Sequence, residues 1–326
     1  MNSSPDPRVA ASPYTIGDPG RAGRELPAGP PGPQPGLSDN ELSAACLPGV
    51  LMRAATFRGL LHRSRNELRQ DAFAWGHLTD SGGATHAVAV VCDGVGSLGR
   101  SHEAAALVSR RLAELGQTGM AWADCFTTVN RELHDHAARM RERRDFDPGR
   151  DGMATTAVAL SVHWSGEEWV GEVAWIGDSP LLWLSPDGTW ASLTEPDGDE
   201  EQDGFHSTGV RPLPSRDGTC LTRRIRLTGG ALFLMTDGIA NPLRWAADVQ
   251  STLAQWWARP PDPFTFAAQA AFSRKTHMDD RTVVALWPEQ DETPHPGDGR
   301  PPAAHDSLQE ERAPKADITR DGAGRG

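Results

Sequence analysis

The sequence predicts an α+β fold of stacked layers, and three observations carry that expectation. Short blocks rich in β-branched or aromatic residues sit between turn signals, the apolar pattern turns helical near Ser101, and strands resume after Gly152 with one late helical insert. "LMRAATFRGL", "DAFAWGHL" and "THAVAVVCD" read as the first three strands. A helix follows over residues 101–115, where Ala105, Val108, Leu112 and Leu115 share one face and Ser101 stands at the N-cap position. A second is predicted from Ala121 to Arg144, with Phe126, Val129, Leu133, Ala137 and Met140 as its stripe. Its run "RMRERR" reads as a solvated end complementing the helix dipole. "TTAVALSVHW", "EWVGEVAWIGDSP", "LLWLSP", "CLTRRIRL", "ALFLMTDG" and "RTVVALWP" are the later strands, and "WAADVQSTLAQWWA" and "FTFAAQAAFSRKT" form the helical insert before the last.

Composition places one domain between two tails. Residues 1–45, with "GRELPAGPPGPQPG", and residues 288–326 lack apolar periodicity and are expected to be disordered, leaving a domain over 46–287. The net charge is -12, and the basic residues, all arginine but Lys275 and Lys315, are scattered; nucleic acid is therefore not an expected partner. Cys46, Cys92, Cys125 and Cys220 show no C-x-x-C spacing, which fits a reduced cytoplasmic chain without structural zinc. Apolar runs such as "HAVAVVC" fall far short of the roughly 20 residues of a membrane helix. The start "MNSSPDPRVA" carries no secretory pattern.

Chemistry concentrates at strand ends. Asp93 ends "AVAVVCD", Asp237 ends "ALFLMTD", Asp279 leads into "RTVVALW" and Asp71 opens "DAFAWG". Asp-Gly also occurs at Asp187, Asp197, Asp203 and Asp217, so each acidic turn can be read by itself as ordinary turn chemistry. Four carboxylates at the ends of strongly apolar strands differ, because several buried together repel and a shared cation relieves them. Oxygen ligands without His or Cys favour Mg²⁺ or Mn²⁺. Two such ions acidify a bound water and hold a phosphoryl group, the chemistry of phosphate ester hydrolysis.

The ordered motifs "QDAF", "VVCDGVGS", "DGMATTA", "WIGDSP", "LFLMTDG" and "DDRTVVAL", from about Leu51 to Trp287, resemble those of the bacterial type 2C metal-dependent serine/threonine protein phosphatases. The resemblance implies a four-layer α-β-β-α sandwich with a two-metal centre in the cleft between two antiparallel sheets. It also implies catalytic and metal-site roles. Asp93 bridges both ions, the Gly94 carbonyl serves one, Asp237 and Asp279 complete one, Asp71 holds water in the outer shell, and Asp151 serves the third ion of some members. Asp178, Thr155 and Thr156 fall at scaffold positions. A glycine after Asp93 is expected because the backbone approaches a cation.

Several positions depart from the family pattern. Gln70 replaces an acid, Asn66 stands where members carry a phosphate-gripping arginine, and Val95 occupies the place of the animal members' proton-donating histidine. His62, Arg63, Arg65 and Arg69 are the candidate replacements for the phosphate grip. The expected function is hydrolysis of phosphoserine and phosphothreonine by metal-activated water, in a cytoplasmic monomer acting on the protein substrates of a serine/threonine kinase. The alternatives are a pseudophosphatase that binds a phosphoprotein or kinase without turnover, and an unrelated phosphoesterase for small molecules. The acid-rich "EPDGDEEQDG", residues 195–204, falls where members carry a variable flap.

Overall fold

The computed structural model describes residues 14–21, 38–194 and 212–289. The acid-rich loop, residues 1–13 and 22–37, and the C-terminal segment from residue 290 lie outside them. In chain order the elements are β1 (Asn40–Leu47), β2 (Val50–Phe57), α1 (Leu60–Arg65), β3 (Ala72–Thr79), β4 (Thr85–Cys92), α2 (Ser101–Gly116), α3 (Trp122–Arg141) and α4 (Pro148–Asp151). Then come β5 (Ala157–Trp164), β6 (Glu168–Ile176), β7 (Leu181–Leu184), β8 (Trp190–Ser192), β9 (Leu221–Thr228) and β10 (Ala231–Met235). The chain continues with α5 (Asp237–Trp245), α6 (Ala247–Trp257), α7 (Pro263–Ala270) and β11 (Arg281–Pro288).

Two antiparallel sheets, ordered β1-β2-β11-β10-β7-β8 and β3-β4-β5-β6-β9, pack face to face with helices on both outer sides. The period of two in a strand explains why the middle strands read as unbroken apolar runs. In β4, Ala87, Ala89 and Val91 face the other sheet while Val88, Val90 and Cys92 meet α2 and α3. In β11, Val284 and Leu286 point between the sheets, whereas Val283, Ala285 and Trp287 meet α5, α6 and α7. The predicted stripes of α2 and α3 pack as expected: Val108, Leu112, Phe126, Val129 and Leu133 are fully buried. Three predicted details change. Strand pairing begins at Asn40, inside the segment expected as tail: β1 is an edge strand with one hydrogen-bonded neighbour, and no residue of it is fully buried, so it shows no strong apolar run. Residues 14–21 also pack onto the domain, with Ile16 buried and its N–H bonded to the Ser273 carbonyl at 3.2 Å. Ser101 does not cap α2; its hydroxyl donates to the Val95 carbonyl, 2.8 Å away, tying the helix start to the turn after β4.

Register carries the acidic strand ends to one edge. Ala72 opposes Cys92 and Met235 opposes Val283, so Asp71 lies beside Asp93, and Asp237 lies near the start of β11 where Asp279 sits.

Candidate metal centre

Asp71, Asp93, Asp178, Asp237, Asp279 and Asp280 line one cavity of about 290 Å³, together with Gly94, Gln70, His62 and Arg65. Burial raises the Asp93 carboxyl well above the usual carboxylate range, and Asp71, Asp237, Asp279 and Asp178 add to the effect through repulsion. Asp237 is pushed up to about 6, first by burial and then by Asp279 and Asp178. Asp71 is likewise raised well above the ordinary range by burial and by Asp280, even though hydroxyls favour its charged form. This is the state of acids gathered without enough cations, and it fits the oxygen donor set of Mg²⁺ or Mn²⁺.

Each carboxylate is held by local structure. Asp93 follows β4; its carbonyl accepts from Thr155 Oγ1 and Thr156 N, both at 2.8 Å, and its Oδ2 lies 3.4 Å from the Asp237 N–H at the start of α5. Asp71 Oδ2 accepts from Thr236 Oγ1 at 2.7 Å and Thr282 Oγ1 at 2.9 Å. Because Thr282 spends its proton on Asp71, Thr56 Oγ1 donates to Thr282 Oγ1 at 2.5 Å, completing a buried relay. Thr155 and Thr156 thus hold the floor, as scaffold residues do. Asp178 is exposed and lines the cavity with the others.

Asp280, which sequence reasoning passed over, is the staple of the site. It is 2% exposed, and its two oxygens accept from the Gly59 N–H at 2.6 Å and the Gln70 N–H at 2.5 Å. His62 Nδ1 lies 2.8 Å from the same carboxylate. Burial opposes charge on His62, but Asp280, Asp279 and Glu67 outweigh it and raise its pKa. His62, Asp279 and Asp280 are, among the described residues, the set of three whose ligand atoms all fall within 4.8 Å of one another. Asp280 already spends both oxygens on backbone donors, so we read this set as a structural pair beside Asp279. Asp93, Asp237 and Asp279 share the cavity without forming a closed coordination sphere. The "DD" pair was visible in the sequence, but only the fold shows that its second member turns inward.

Two glycines permit the close packing. A Cβ on Gly94 would stand 2.6 Å from the Gln70 carbonyl oxygen and 3.0 Å from Ser101 Cβ, so neighbouring protein also excludes a side chain there. A Cβ on Gly238 would meet the Asp280 carbonyl oxygen at 1.9 Å, so glycine lets α5 approach the Asp279–Asp280 turn.

The other candidates separate. Arg65 is exposed, lines the acid cavity and makes no ion pair with a described residue. Arg63 turns to Asp39 at 3.8 Å and to the Arg58 carbonyl, and burial lowers its pKa. Arg69 pairs with Glu41 at 3.0 Å. Asn66 caps α1 in the left-handed region with φ 54°, a conformation asparagine tolerates better than arginine. Asp151 lines a second cavity of about 460 Å³ and does not line the first. Its Oδ2 accepts from the Asp147 N–H at 2.9 Å and its Oδ1 from Arg100 Nε at 2.9 Å, which with Arg150 push its pKa down to about 2.

Comparison with known proteins gives the family and the fold. Residues 58–270 match the family model "Protein phosphatase 2C". A bacterial serine phosphatase structure is 16% identical with a TM-score of 0.51, covering 74% of this chain and 98% of its own. The serine/threonine phosphatase Stp1 from Staphylococcus aureus is 15% identical, TM-score 0.50, over 73% of this chain and 95% of that one. The catalytic domain of the serine/threonine protein phosphatase PstP, solved with two manganese ions, is 20% identical, TM-score 0.50, over 73% and 97%. No curated protein sequence matches the chain. With most of its described length matched and its acidic strand ends gathered in one cavity, the chain belongs to the protein phosphatase 2C family of metal-dependent serine/threonine phosphatases.

Proposed function

We propose that the chain hydrolyses phosphoserine and phosphothreonine on proteins, using water activated by two divalent ions in the acid cavity. The observation that supports this best is Asp93, a half-buried carboxylate with four further aspartates raising its pKa and one helix N–H at its oxygen. Ions bound there supply Lewis acidity and an acidified water. Asp93, the Gly94 carbonyl, Asp237 and Asp279 are the proposed ligands. Asp71, fixed by Thr236 and Thr282, holds water at the outer edge, and Arg65 supplies the cation that meets phosphate. Asp151 would have to leave Arg100 and Arg150 to take an ion, so the proposal keeps two ions and not a third.

In this reading the chain works as a cytoplasmic monomer on the products of a serine/threonine kinase. No helix among the described residues is long and apolar enough to cross a membrane. Purified chain with Mn²⁺ or Mg²⁺ should hydrolyse p-nitrophenyl phosphate and a phosphothreonine peptide, lose both with EDTA, and bind two ions by calorimetry. Two observations favour a second reading, a pseudophosphatase: neutral Gln70 at an acidic position and Asn66 at an arginine position. Ion and phosphopeptide binding with no turnover would select it.

A further inference from the structure

Asp279 reaches the acid cavity on the connection between α7 and β11, which has no helix or strand of its own. Within it Thr276 stands in the left-handed region with φ 68°, a conformation that a β-branched side chain rarely adopts. Such a residue stays there only where its surroundings fix the backbone on both sides. On the far side the hold comes from the site: the Met278 carbonyl accepts from the Leu61 N–H and the His277 carbonyl from Arg281 Nη2, both at 2.9 Å, and Asp280 takes its two backbone donors. Asp279 itself is exposed, and its Oδ1 accepts from the neighbouring Asp280 N–H at 2.8 Å, a bond that moves with the turn.

On the near side the hold comes from residues 14–18. The Ser273 N–H donates to the Tyr14 carbonyl at 2.9 Å, the Ile16 N–H to the Ser273 carbonyl at 3.2 Å, and the Lys275 N–H to the Asp18 carbonyl at 2.6 Å. Arg274 Nη1 donates to the Ile16 carbonyl at 3.2 Å and to Asp248 Oδ2 at 2.7 Å, which joins this segment to α6. Two side chains seat it: Ile16 is 3% exposed among Val249, Leu253 and Phe272, and the Tyr14 ring meets Trp256 edge-on at 5.1 Å. Gly17, at φ 70°, lets the backbone pass so close that a Cβ would stand 2.8 Å from Arg274 Nη1. Without these bonds the amides of Ser273 and Lys275 lose their acceptors, and Thr276 is free to relax toward its ordinary region and carry Asp279 with it. Metal ligands work only when held to within about 0.5 Å. We propose that residues 14–18 are a positioning strap for the metal centre, fixing the strained turn at Thr276 and through it the place of Asp279. The inference rests on the reading of Asp279 as a metal ligand.

The test compares the full chain with Ile16→Asp, which puts a charge in the apolar seat, and with Gly17→Val. Gly17 is exposed, so the second variant lifts the strap without opening the core. Amide hydrogen exchange is followed by NMR on the metal-free chain, and Mn²⁺ affinity is measured by calorimetry. In both variants exchange at Leu61, whose acceptor is the Met278 carbonyl, should rise at least about tenfold while β4 amides stay protected, and Mn²⁺ should bind about tenfold more weakly. Thr276→Asn added to either variant should recover most of the affinity, because asparagine tolerates the left-handed region and the exposed Thr276 packs against little. A strap that merely adds stability would lower Tm and leave Leu61 exchange, Mn²⁺ affinity and the asparagine rescue unmoved, and that result overturns the proposal. Faster Leu61 exchange in the variants of a chain that binds no Mn²⁺ upholds the strap's hold on the turn and sinks the metal reading; Mn²⁺ binding of equal strength in all three chains does the reverse.

Discussion

The two cavities that share Gln70 hold the same side chain in opposite electrostatic states. In one, Asp237 is pushed up to about 6 by burial and by neighbouring aspartates; in the other, Asp151 is pushed down to about 2 by the Asp147 N–H and Arg100. The difference lies in the partners. Asp151 meets cations and a backbone donor, so its charge is settled within the chain. Asp237 meets carboxylates and the Asn241 amide at 3.2 Å, so its charge calls for a cation from outside. A fold that spends buried threonines and a backbone staple to hold such acids together is organised around an added ion.

The largest expected effect separates the two aspartates directly. Asp93→Asn should lower metal-dependent turnover at least about a hundredfold, whereas Asp151→Asn should stay within about tenfold. Equal losses would erase the distinction. Next comes the relay behind Asp71. Thr282→Val removes a donor to Asp71 while keeping the shape, and should weaken Mn²⁺ binding by calorimetry about tenfold or more; an unchanged affinity would make the relay merely structural.

The third prediction concerns pH in chelator. Asp93, Asp71 and Asp237 have raised pKa values in the folded chain, so the native state binds more protons than the unfolded one above about pH 4, and stability falls as pH rises through the folded values. The Asp237 contribution is on the order of 1–3 kcal/mol, so Tm with EDTA should be several degrees lower near pH 8 than near pH 5. Mn²⁺ should restore more stability at pH 8 than at pH 5, and Asp237→Asn should flatten the EDTA slope. Asp151 has the opposite sign: its stabilisation is present above the unfolded pKa and is lost as pH falls toward about 2. The smallest expected effect is Arg65→Ala, which should raise KM for p-nitrophenyl phosphate severalfold, with Arg63→Ala and Arg69→Ala unchanged because those side chains face Asp39 and Glu41. A larger effect from Arg69 would move the phosphate grip.

Much of the fold was legible because central strands carry strong local signals. β4 and β11 are buried on both faces, and α2 and α3 show single apolar stripes, so pattern and packing agree. β1 was missed since its side chains alternate exposed with half-buried, and the six-residue α1 is too short to show a period. At the site, Asp71, Asp93, Asp237 and Asp279 were visible by their position at strand ends. The inward turn of Asp280, the left-handed cap at Asn66 and the commitment of Arg63 and Arg69 elsewhere depend on contacts between distant segments, as Gln70 and Asp280 illustrate across 210 positions.

The sequence by itself determined the layered architecture and the acidic strand ends, since hydrophobic periodicity and the residue type at a strand terminus are local properties of the chain. Only the tertiary structure decided which acids share a cavity and which are neutralised by arginine, because antiparallel register and long-range hydrogen bonds set the partners of each carboxylate, and partners set its charge state.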